Sequence, residues 1–250
     1  MKSFRSIVIT GASSGIGEAL ALDYAAPGIA LALSGRDAVR LQAVAEACRA
    51  RGAVVDAAQV DVVDREAMAA WLTKFDDAHP VDLVIANAGV SIDQENSSLD
   101  NFPIVRGIFA INVDGVFNTV EPLVVRLMER RSGQIGIVSS LAGFFGLPHA
   151  ASYNGSKAAI RVWGESIRFP LRKKGVGVSV ICPGFVVSRL TSSEVSFPRP
   201  FLMSAERASA IIRRGLANDK ARIAFPFGLK ALIWFGNTIP AAWAFRLLGG

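Results

Sequence analysis

Short apolar runs alternate with longer amphipathic stretches along this chain, and this alternation limits the fold more than any other feature. The apolar runs are predicted strands at Ser6–Thr10, Ile29–Ser34, Val54–Gln59, Val81–Ala86, Gln134–Ser139 and Gly177–Cys182. The stretches between them are predicted helices at Gly15–Ala26, Ala38–Arg51, Arg65–Ala78, Phe102–Arg130 and Tyr153–Lys174. Within the runs the apolar residues are continuous, as in a parallel sheet covered on both faces. Repeated strand–helix–strand units predict an α/β fold with a doubly wound, mainly parallel sheet, to which Arg222–Phe225 adds a seventh strand.

Length and composition favour one domain and argue against several other classes of protein. The chain has 250 residues, of which 51% are hydrophobic and 19% charged, which suits one packed α/β domain and excludes disorder. We expect residues 1–226 to form this domain and residues 227–250 to extend it as an apolar helical segment. Two distant cysteines and two histidines predict neither a disulfide framework nor a metal site. The N-terminus lacks the long apolar stretch of a signal peptide, so a cytoplasmic location is expected.

The chain carries a net charge of +6, which arises from basic clusters near residues 126–131, 168–174 and 213–222. Aromatic residues are not interleaved with these clusters as they are on surfaces that stack nucleic-acid bases. Most of the basic residues fall near predicted helix ends, where the helix dipole favours cations. No nucleic-acid partner is therefore expected, although the positive charge would favour an anionic cofactor.

The segment from Gly228 to Leu248 is strongly apolar and includes Trp234 and Trp243. About 20 apolar residues suffice to cross a bilayer, but Lys230 and Pro240 interrupt this segment, which favours two short helices instead. Packing on the core or on a neighbouring subunit is the preferred interpretation. Peripheral docking on a membrane surface stays open as an alternative.

A glycine-rich turn joins the first strand to the first helix. Its candidate ligands for a phosphate group are Gly11, Ser13, Ser14, Gly15, Ile16 and Gly17. Glycines allow the backbone to approach a pyrophosphate closely, and the helix N-terminus then offers free N–H groups. The spacing differs from G-x-G-x-x-G and from the P-loop, so an ordinary tight turn remains the alternative. Together with the alternation of strands and helices, the turn predicts a Rossmann-like dinucleotide site.

The residues after the second strand favour NADP(H) over NAD(H). NAD sites tend to place an acidic residue about 20 residues beyond the glycines, whereas NADP sites use an arginine for the 2′-phosphate. Here Arg36 comes first, and Asp37 follows as the expected N-cap of the next helix. A solvated Arg36 at a helix start is the alternative.

Ser140, Tyr153 and Lys157 form a candidate catalytic group. Ser140 follows a predicted strand, while Tyr153 and Lys157 are four residues apart and so share one face of a helix. A tyrosine pKa near 10 would be lowered by a nearby ammonium and by an oxidised nicotinamide. Tyr153 could then exchange a proton with a carbonyl oxygen that Ser140 orients. Such a pair alone is common on protein surfaces, but beside a phosphate-binding turn it predicts catalysis.

These motifs resemble the short-chain dehydrogenase/reductase family, and the resemblance covers residues 3–226. Besides the glycine-rich turn, its motifs match Asp61 and Val62, Asn87, Ala88 and Gly89, Asn112, and Pro183, Gly184, Val186 and Ser188. Ala86 departs from the family, which usually has Asn there, and Ser188 stands where Thr is common. The resemblance implies that these residues, with Tyr153 and Lys157, bind the cofactor, and that Asn112 holds a water relay to Lys157.

The resemblance also implies a reaction, in which hydride passes between NADP(H) and a carbonyl or alcohol while Tyr153 acts as general acid/base. Apolar residues in the stretch 189–204 favour a hydrophobic ketone or secondary alcohol. A homodimer or homotetramer is implied, with Phe102–Arg130 and Tyr153–Lys174 as interface helices. The alternatives are a non-catalytic NADP-binding sensor or scaffold, and a nucleotide-sugar epimerase or dehydratase, for which the chain leaves little room.

Overall fold

A computed structural model describes residues 1–91, 101–146, 150–187, 200–236 and 238. The strands are β1 (Ser6–Ile9), β2 (Ala30–Ser34), β3 (Val54–Ala58), β4 (Leu83–Ala86), β5 (Gln134–Val138), β6 (Gly177–Pro183) and β7 (Arg222–Phe225). The helices are α1 (Gly15–Tyr24), α2 (Ala38–Ala50), α3 (Arg65–Ala78), α4 (Phe102–Phe109), α5 (Gly115–Arg130), α6 (Ala151–Lys173), α7 (Ala205–Ala217) and α8 (Phe227–Gly236). A π-helical turn at Ala110–Asp114 joins α4 to α5, and a 3₁₀ turn at Leu141–Phe144 follows β5.

The strands form one seven-stranded sheet in the order β3-β2-β1-β4-β5-β6-β7, and every pairing is parallel. The order reverses between β1 and β4, because the chain leaves β1 toward β2 and later returns to pair with β1 on its other side. In open α/β sheets ligands bind outside the carboxyl ends of the strands at such a reversal. The predicted fold class, a Rossmann-like doubly wound sheet with seven strands, is confirmed.

The core consists of two apolar layers, one on each face of the sheet. Along β1, Ile7 and Ile9 point into the layer that α1, α2 and α7 cover, whereas Val8 points into the layer under α3, α5 and α6. This follows from the two-residue period of a strand. All three side chains are fully buried, which explains why the run is apolar without alternation. The edge strand β3 is only partly buried, because it has a neighbour on one side alone.

Two features of the helices differ from the prediction. Helix α7 was not predicted; its start is marked by Ser204, whose side chain accepts a hydrogen bond from the backbone N–H of Arg207. The predicted helix Phe102–Arg130 is interrupted by the π-helical turn that contains Asn112. That helix is long and apolar enough to cross a membrane by length and composition alone. It packs on α3 and β4 and contributes Leu123 to the core, as expected for a core helix.

Candidate active site

The turn between β1 and α1 is shaped by glycines that no other residue could replace without strain. Gly11 has φ +66°, and a Cβ there would lie 2.8 Å from the Cα of Ala88. A Cβ on Gly17 would lie 2.3 Å from the carbonyl oxygen of Gly11. Gly17 therefore lets α1 pack against the turn, and it does not line the cleft described below. Gly11 and Gly15 do line that cleft, so a ligand can reach the backbone at the N-terminus of α1.

Hydrogen bonds fasten the ends of β1 and β4 to each other. The Thr10 hydroxyl accepts from the backbone N–H groups of Asn87 and Ala88, each at 3.1 Å. The Asn87 amide donates in return to the carbonyl oxygens of Thr10 at 2.9 Å and Gly11 at 3.2 Å. These contacts satisfy polar groups where the strands part, and they hold the two predicted motifs side by side. Ala86 is buried in β4, and the Asn87 side chain supplies the bonding between the two strand ends.

A cleft of about 810 Å³ opens at the carboxyl ends of the strands. Its lining includes the predicted residues Gly11, Ser13, Ser14, Gly15, Ile16, Arg36, Asp61, Val62, Asn87, Ala88, Gly89, Ser140, Tyr153, Lys157, Pro183, Gly184 and Val186. Among the described residues predicted for the site, Gly17 and Asn112 stand outside this lining. Residues from seven separate stretches of the chain thus meet in one place, because parallel strands end at the same edge of the sheet.

One end of the cleft carries the residues that follow β2. Arg36 is exposed to solvent. Asp37 is the N-cap of α2, as predicted, and accepts from the backbone N–H of Arg40 at 3.0 Å. Its carboxylate also forms an ion pair with the Arg40 guanidinium at 2.7 Å. The charge of Asp37 is therefore partly neutralised, which leaves the region between the end of β2 and the start of α2 positively charged.

Sequence reasoning missed two residues at this end of the cleft. Ser34 and Arg40 both line it. The Ser34 hydroxyl and the Arg40 Nε are buried and have no hydrogen-bond partner within the described part of the chain. A buried polar group without a partner costs free energy, so it marks a place where a ligand can bind. The only available signal in the sequence was that Arg40 lies four residues after Arg36, in the first turn of α2.

At the opposite end, β5, the 3₁₀ turn and α6 bring the catalytic candidates together. The Ser140 hydroxyl accepts from the backbone N–H of Ala142 at 3.1 Å and donates to the carbonyl oxygen of Pro183 at 3.4 Å. It is also hydrogen-bonded to Tyr153. Lys157 is buried, and its Nζ donates to the carbonyl oxygen of Val138 at 3.0 Å and lies 5.9 Å from the centroid of the Tyr153 ring.

Burial dominates the protonation of both groups. It lowers the pKa of Lys157 from 10.5 to about 8, because the ammonium is separated from water. Burial raises the pKa of Tyr153, and the hydrogen bond with Ser140 opposes this only in part. The expected lowering of the Tyr153 pKa, which depends on an oxidised nicotinamide as well as on Lys157, is absent from the protein alone, because desolvation is the largest effect on this group.

Asn112 lies beneath the cleft and is fully buried. Its Oδ1 accepts from the backbone N–H of Val90 at 2.8 Å, and its Nδ2 donates to the Val90 carbonyl at 2.9 Å and to the Ser156 hydroxyl at 3.0 Å. A Cβ on Gly89 would lie 3.1 Å from both the Asn112 Oδ1 and the Lys157 Nζ. The side-chain amide of Asn112 thus fixes the segment after β4 against α6, and both of its polar atoms already have protein partners.

Several predicted residues lie outside the described residues. Ser188, expected to contact the nicotinamide, is one of them. Residues 189–199 of the stretch that is expected to favour a hydrophobic substrate also lie there, as does most of the segment from 237 onward.

The cleft fits a nicotinamide dinucleotide by three independent features. The glycine turn lines the cleft at the N-terminus of α1, as pyrophosphate binding requires. Ser34 presents a buried hydroxyl without a partner at one end. Tyr153 and Lys157 line the other end, where a reacting group needs a proton donor.

Comparison with known proteins agrees with this geometry. The profile of the short chain dehydrogenase family matches residues 5–198. An uncharacterized oxidoreductase of Myxococcus xanthus is 38% identical over 239 residues, which make up 95% of this chain and 94% of that protein. The 3-oxoacyl-[acyl-carrier-protein] reductase FabG of Staphylococcus aureus is 30% identical over 200 residues, 77% of this chain and 79% of its own length.

Among solved structures, a 3-ketoacyl-ACP reductase from Sinorhizobium meliloti is 27% identical and superposes with a TM-score of 0.78, covering 91% of this chain and 99% of that one. The family match extends over more than three quarters of the sequence and includes the glycine turn and the Ser–Tyr–Lys group. The chain therefore belongs to the short-chain dehydrogenase/reductase family and is an NAD(P)-dependent oxidoreductase that acts on CH–OH or C=O groups.

Proposed function

We propose that this protein is an NADP(H)-dependent carbonyl reductase or alcohol dehydrogenase whose substrate is a hydrophobic ketone or secondary alcohol. The observation that carries the proposal is the meeting of Ser140, Tyr153 and Lys157 in the same cleft as the glycine turn. The bound cofactor supplies or accepts the hydride. The protein's task is then to orient the substrate oxygen and to move one proton.

Each of the three side chains has a separate task in this proposal. Tyr153 is the general acid/base that gives a proton to the carbonyl oxygen or removes it from the alcohol. Ser140 holds the same oxygen, and its fixed contacts with Ala142 and Pro183 limit its motion. Lys157 would hold the ribose hydroxyls and, when charged, favours the Tyr153 phenolate. Asn112 is a positioning residue, because it ties Val90 and Ser156 together beneath Lys157.

The preference for NADP(H) is supported by the charges that follow β2. Arg36 is exposed at the edge of the cleft, where it can contact a 2′-phosphate. Arg40 adds a second guanidinium, and Ser34 adds a buried hydroxyl that lacks a partner among the described residues. Asp37 would oppose an anion there, but its ion pair with Arg40 offsets its charge.

The surroundings of Ser140 support a hydrophobic substrate. Leu141, Cys182 and Leu229 form a buried apolar cluster beside it, and Phe144 and Phe185 pack against this cluster. Such a wall favours carbonyl compounds with apolar substituents over small polar ones. The name of the Staphylococcus aureus relative suggests a 3-oxoacyl thioester as a first substrate to assay.

The same proposal includes the organisation of the chain. Residues 1–226 would form the catalytic domain, and residues 227–250 its apolar extension. Helices α4, α5 and α6 carry exposed Phe102, Val125 and Phe169, which suit the subunit contacts of a homodimer or homotetramer in the cytoplasm. Sedimentation of the purified protein measures the number of subunits.

Substitution of the general acid tests the function. We expect Tyr153→Phe to lose at least about 100-fold in turnover of hydrophobic ketones with NADPH, since general acid/base catalysis contributes about 10²–10⁴-fold. NADPH binding, followed by its fluorescence, should change little. Phe117→Leu, an aromatic change on α5 away from the cleft, serves as the control. Full turnover by Tyr153→Phe would refute the assigned role, and tight NADPH binding without turnover of any ketone by the wild type would favour the sensor or scaffold.

A further inference from the structure

Helix α8 exposes most of its apolar surface. Leu229 is its one buried side chain, whereas Phe227, Trp234 and Phe235 are 79%, 71% and 61% exposed. Leu232 is also exposed. Monomeric soluble proteins seldom present several large apolar side chains together, so such a patch marks a contact surface.

The exposed residues of α8 share one side of the helix. At about 100° per residue, the side chains from Trp234 through Phe227 and Phe235 to Leu232 span an arc of roughly 160° opposite Leu229. Lys230 lies at the edge of this arc and is exposed. A convex apolar face bordered by a lysine is typical of helices that lie in the interface of a membrane.

The apolar face of α8 continues toward the catalytic cleft. The Phe201 ring lies on Gly228, where a Cβ would be 3.0 Å from its Cζ. Phe201 is itself 59% exposed. On the other side of the helix, Leu229 packs against Gly184, where a Cβ would be 2.8 Å from its methyl group. Because Gly184 lines the cleft, the exposed apolar surface begins next to the site of reaction.

We propose that the face formed by Phe227, Leu232, Trp234 and Phe235 docks on the surface of a membrane that contains anionic lipids. The charge of the segment supports a lipid partner, since residues 226–250 contain two basic residues, Lys230 and Arg246, and no acidic residue. In a symmetric contact between two copies the same patch meets itself, and this patch offers no opposite charge for an ion pair. A flat layer of anionic headgroups over hydrocarbon satisfies both the aromatic side chains and the lysine.

Sedimentation with lipid vesicles tests this docking, and it needs neither cofactor nor substrate. We expect the full chain to bind vesicles made of equal parts phosphatidylcholine and phosphatidylserine, and to bind about fivefold more weakly to phosphatidylcholine alone. Trp234→Ser combined with Phe235→Ser should weaken binding at least about tenfold. The control is Phe169→Ser, which removes an aromatic side chain of similar exposure, 69%, from the last turns of α6.

Two outcomes would overturn the inference. One is wild-type protein that stays in solution with both kinds of vesicle. The other is a double variant that binds vesicles as the wild type does but has a smaller oligomeric mass, which would make α8 a contact between subunits. Thermal unfolding and NADPH binding of each variant, both expected to match the wild type, show that folding and the proposed cofactor site are intact. Failure of vesicle binding with normal NADPH binding would therefore leave the proposed function untouched.

Discussion

Removal of the guanidinium groups at the end of β2 should change the cofactor preference by a predictable amount. A hydrogen bond to a charged group contributes about 1.5–3 kcal/mol. Arg36 is exposed, so screening by water places the contribution of its hydrogen bond at the lower end of this range. Arg36→Ala should therefore weaken NADPH binding about tenfold. Arg40 shares its charge with Asp37, and Arg40→Ala should weaken binding by a further factor of about three to ten. NADH lacks the 2′-phosphate, so its binding should change less than about twofold.

Fluorescence titration of NADPH and NADH measures these changes. Arg49→Ala is the matched control, because it removes the same charge from the last turn of α2, outside the cleft. Asp37→Asn keeps a good N-cap residue but removes the negative charge, and should strengthen NADPH binding. The reasoning is refuted if Arg36→Ala weakens NADPH and NADH equally, or if Arg49→Ala has the effect of Arg36→Ala.

Three further predictions concern stability and the turn. Gly17→Ala should abolish cofactor binding or unfold the protein, because its Cβ would lie 2.3 Å from a carbonyl oxygen; circular dichroism and NADPH titration distinguish the two. Burial alone would raise the pKa of the Asp76 carboxyl, but hydrogen bonds led by that from Arg130 lower this pKa below 3.8. Asp76→Asn should therefore lower the free energy of unfolding by about 2–3 kcal/mol at pH 7. That difference should be lost as the pH falls through the lowered pKa, as urea unfolding would show. Burial lowers the Lys157 pKa to about 8, so between about pH 8 and 10.5 the unfolded chain binds more protons than the folded protein and the free energy of unfolding rises with pH. Lys157→Met should abolish this rise and the activity. At pH 7 this variant should be about 2 kcal/mol more stable than the wild type, even though it loses the hydrogen bond to Val138.

The strands and the polar residues that follow them could be predicted from the sequence, since both depend on local patterns. A buried parallel strand requires a continuous apolar run, and the residue at which the run stops is the residue that reaches the cleft. Asn87 and Ser140 both follow strands in this way and line the cleft. Ser34 was missed because it reads as the last residue of β2, and nothing local shows that its hydroxyl lacks a protein partner.

Residues whose role depends on three-dimensional packing were harder to predict. Arg40 lies on α2 and looks like any solvated helix residue until the ion pair with Asp37 is seen. Asn112 was identified by its place in a motif, but its bonds to Val90 and Ser156 join segments that are distant in sequence. Helix α7 was missed because the sequence before it is rich in proline and hides its cap at Ser204. For Arg40 and Asn112 the missing information was the partner and not the residue type.

The protonation of Tyr153 and Lys157 shows the same limit. The spacing of Tyr153 and Lys157 predicts an ammonium beside a phenol, and from that pair alone the tyrosine pKa should fall. Desolvation within the fold instead shifts the lysine pKa down to about 8 and the tyrosine pKa up. Each shift favours the uncharged form, so the protein alone does not hold a phenolate near neutral pH. A positive charge brought close to the ring would oppose the shift on Tyr153. The proton affinity of the proposed general acid/base is therefore coupled to what occupies the cleft, and the burial that lowers stability at Lys157 is the same burial that provides this coupling.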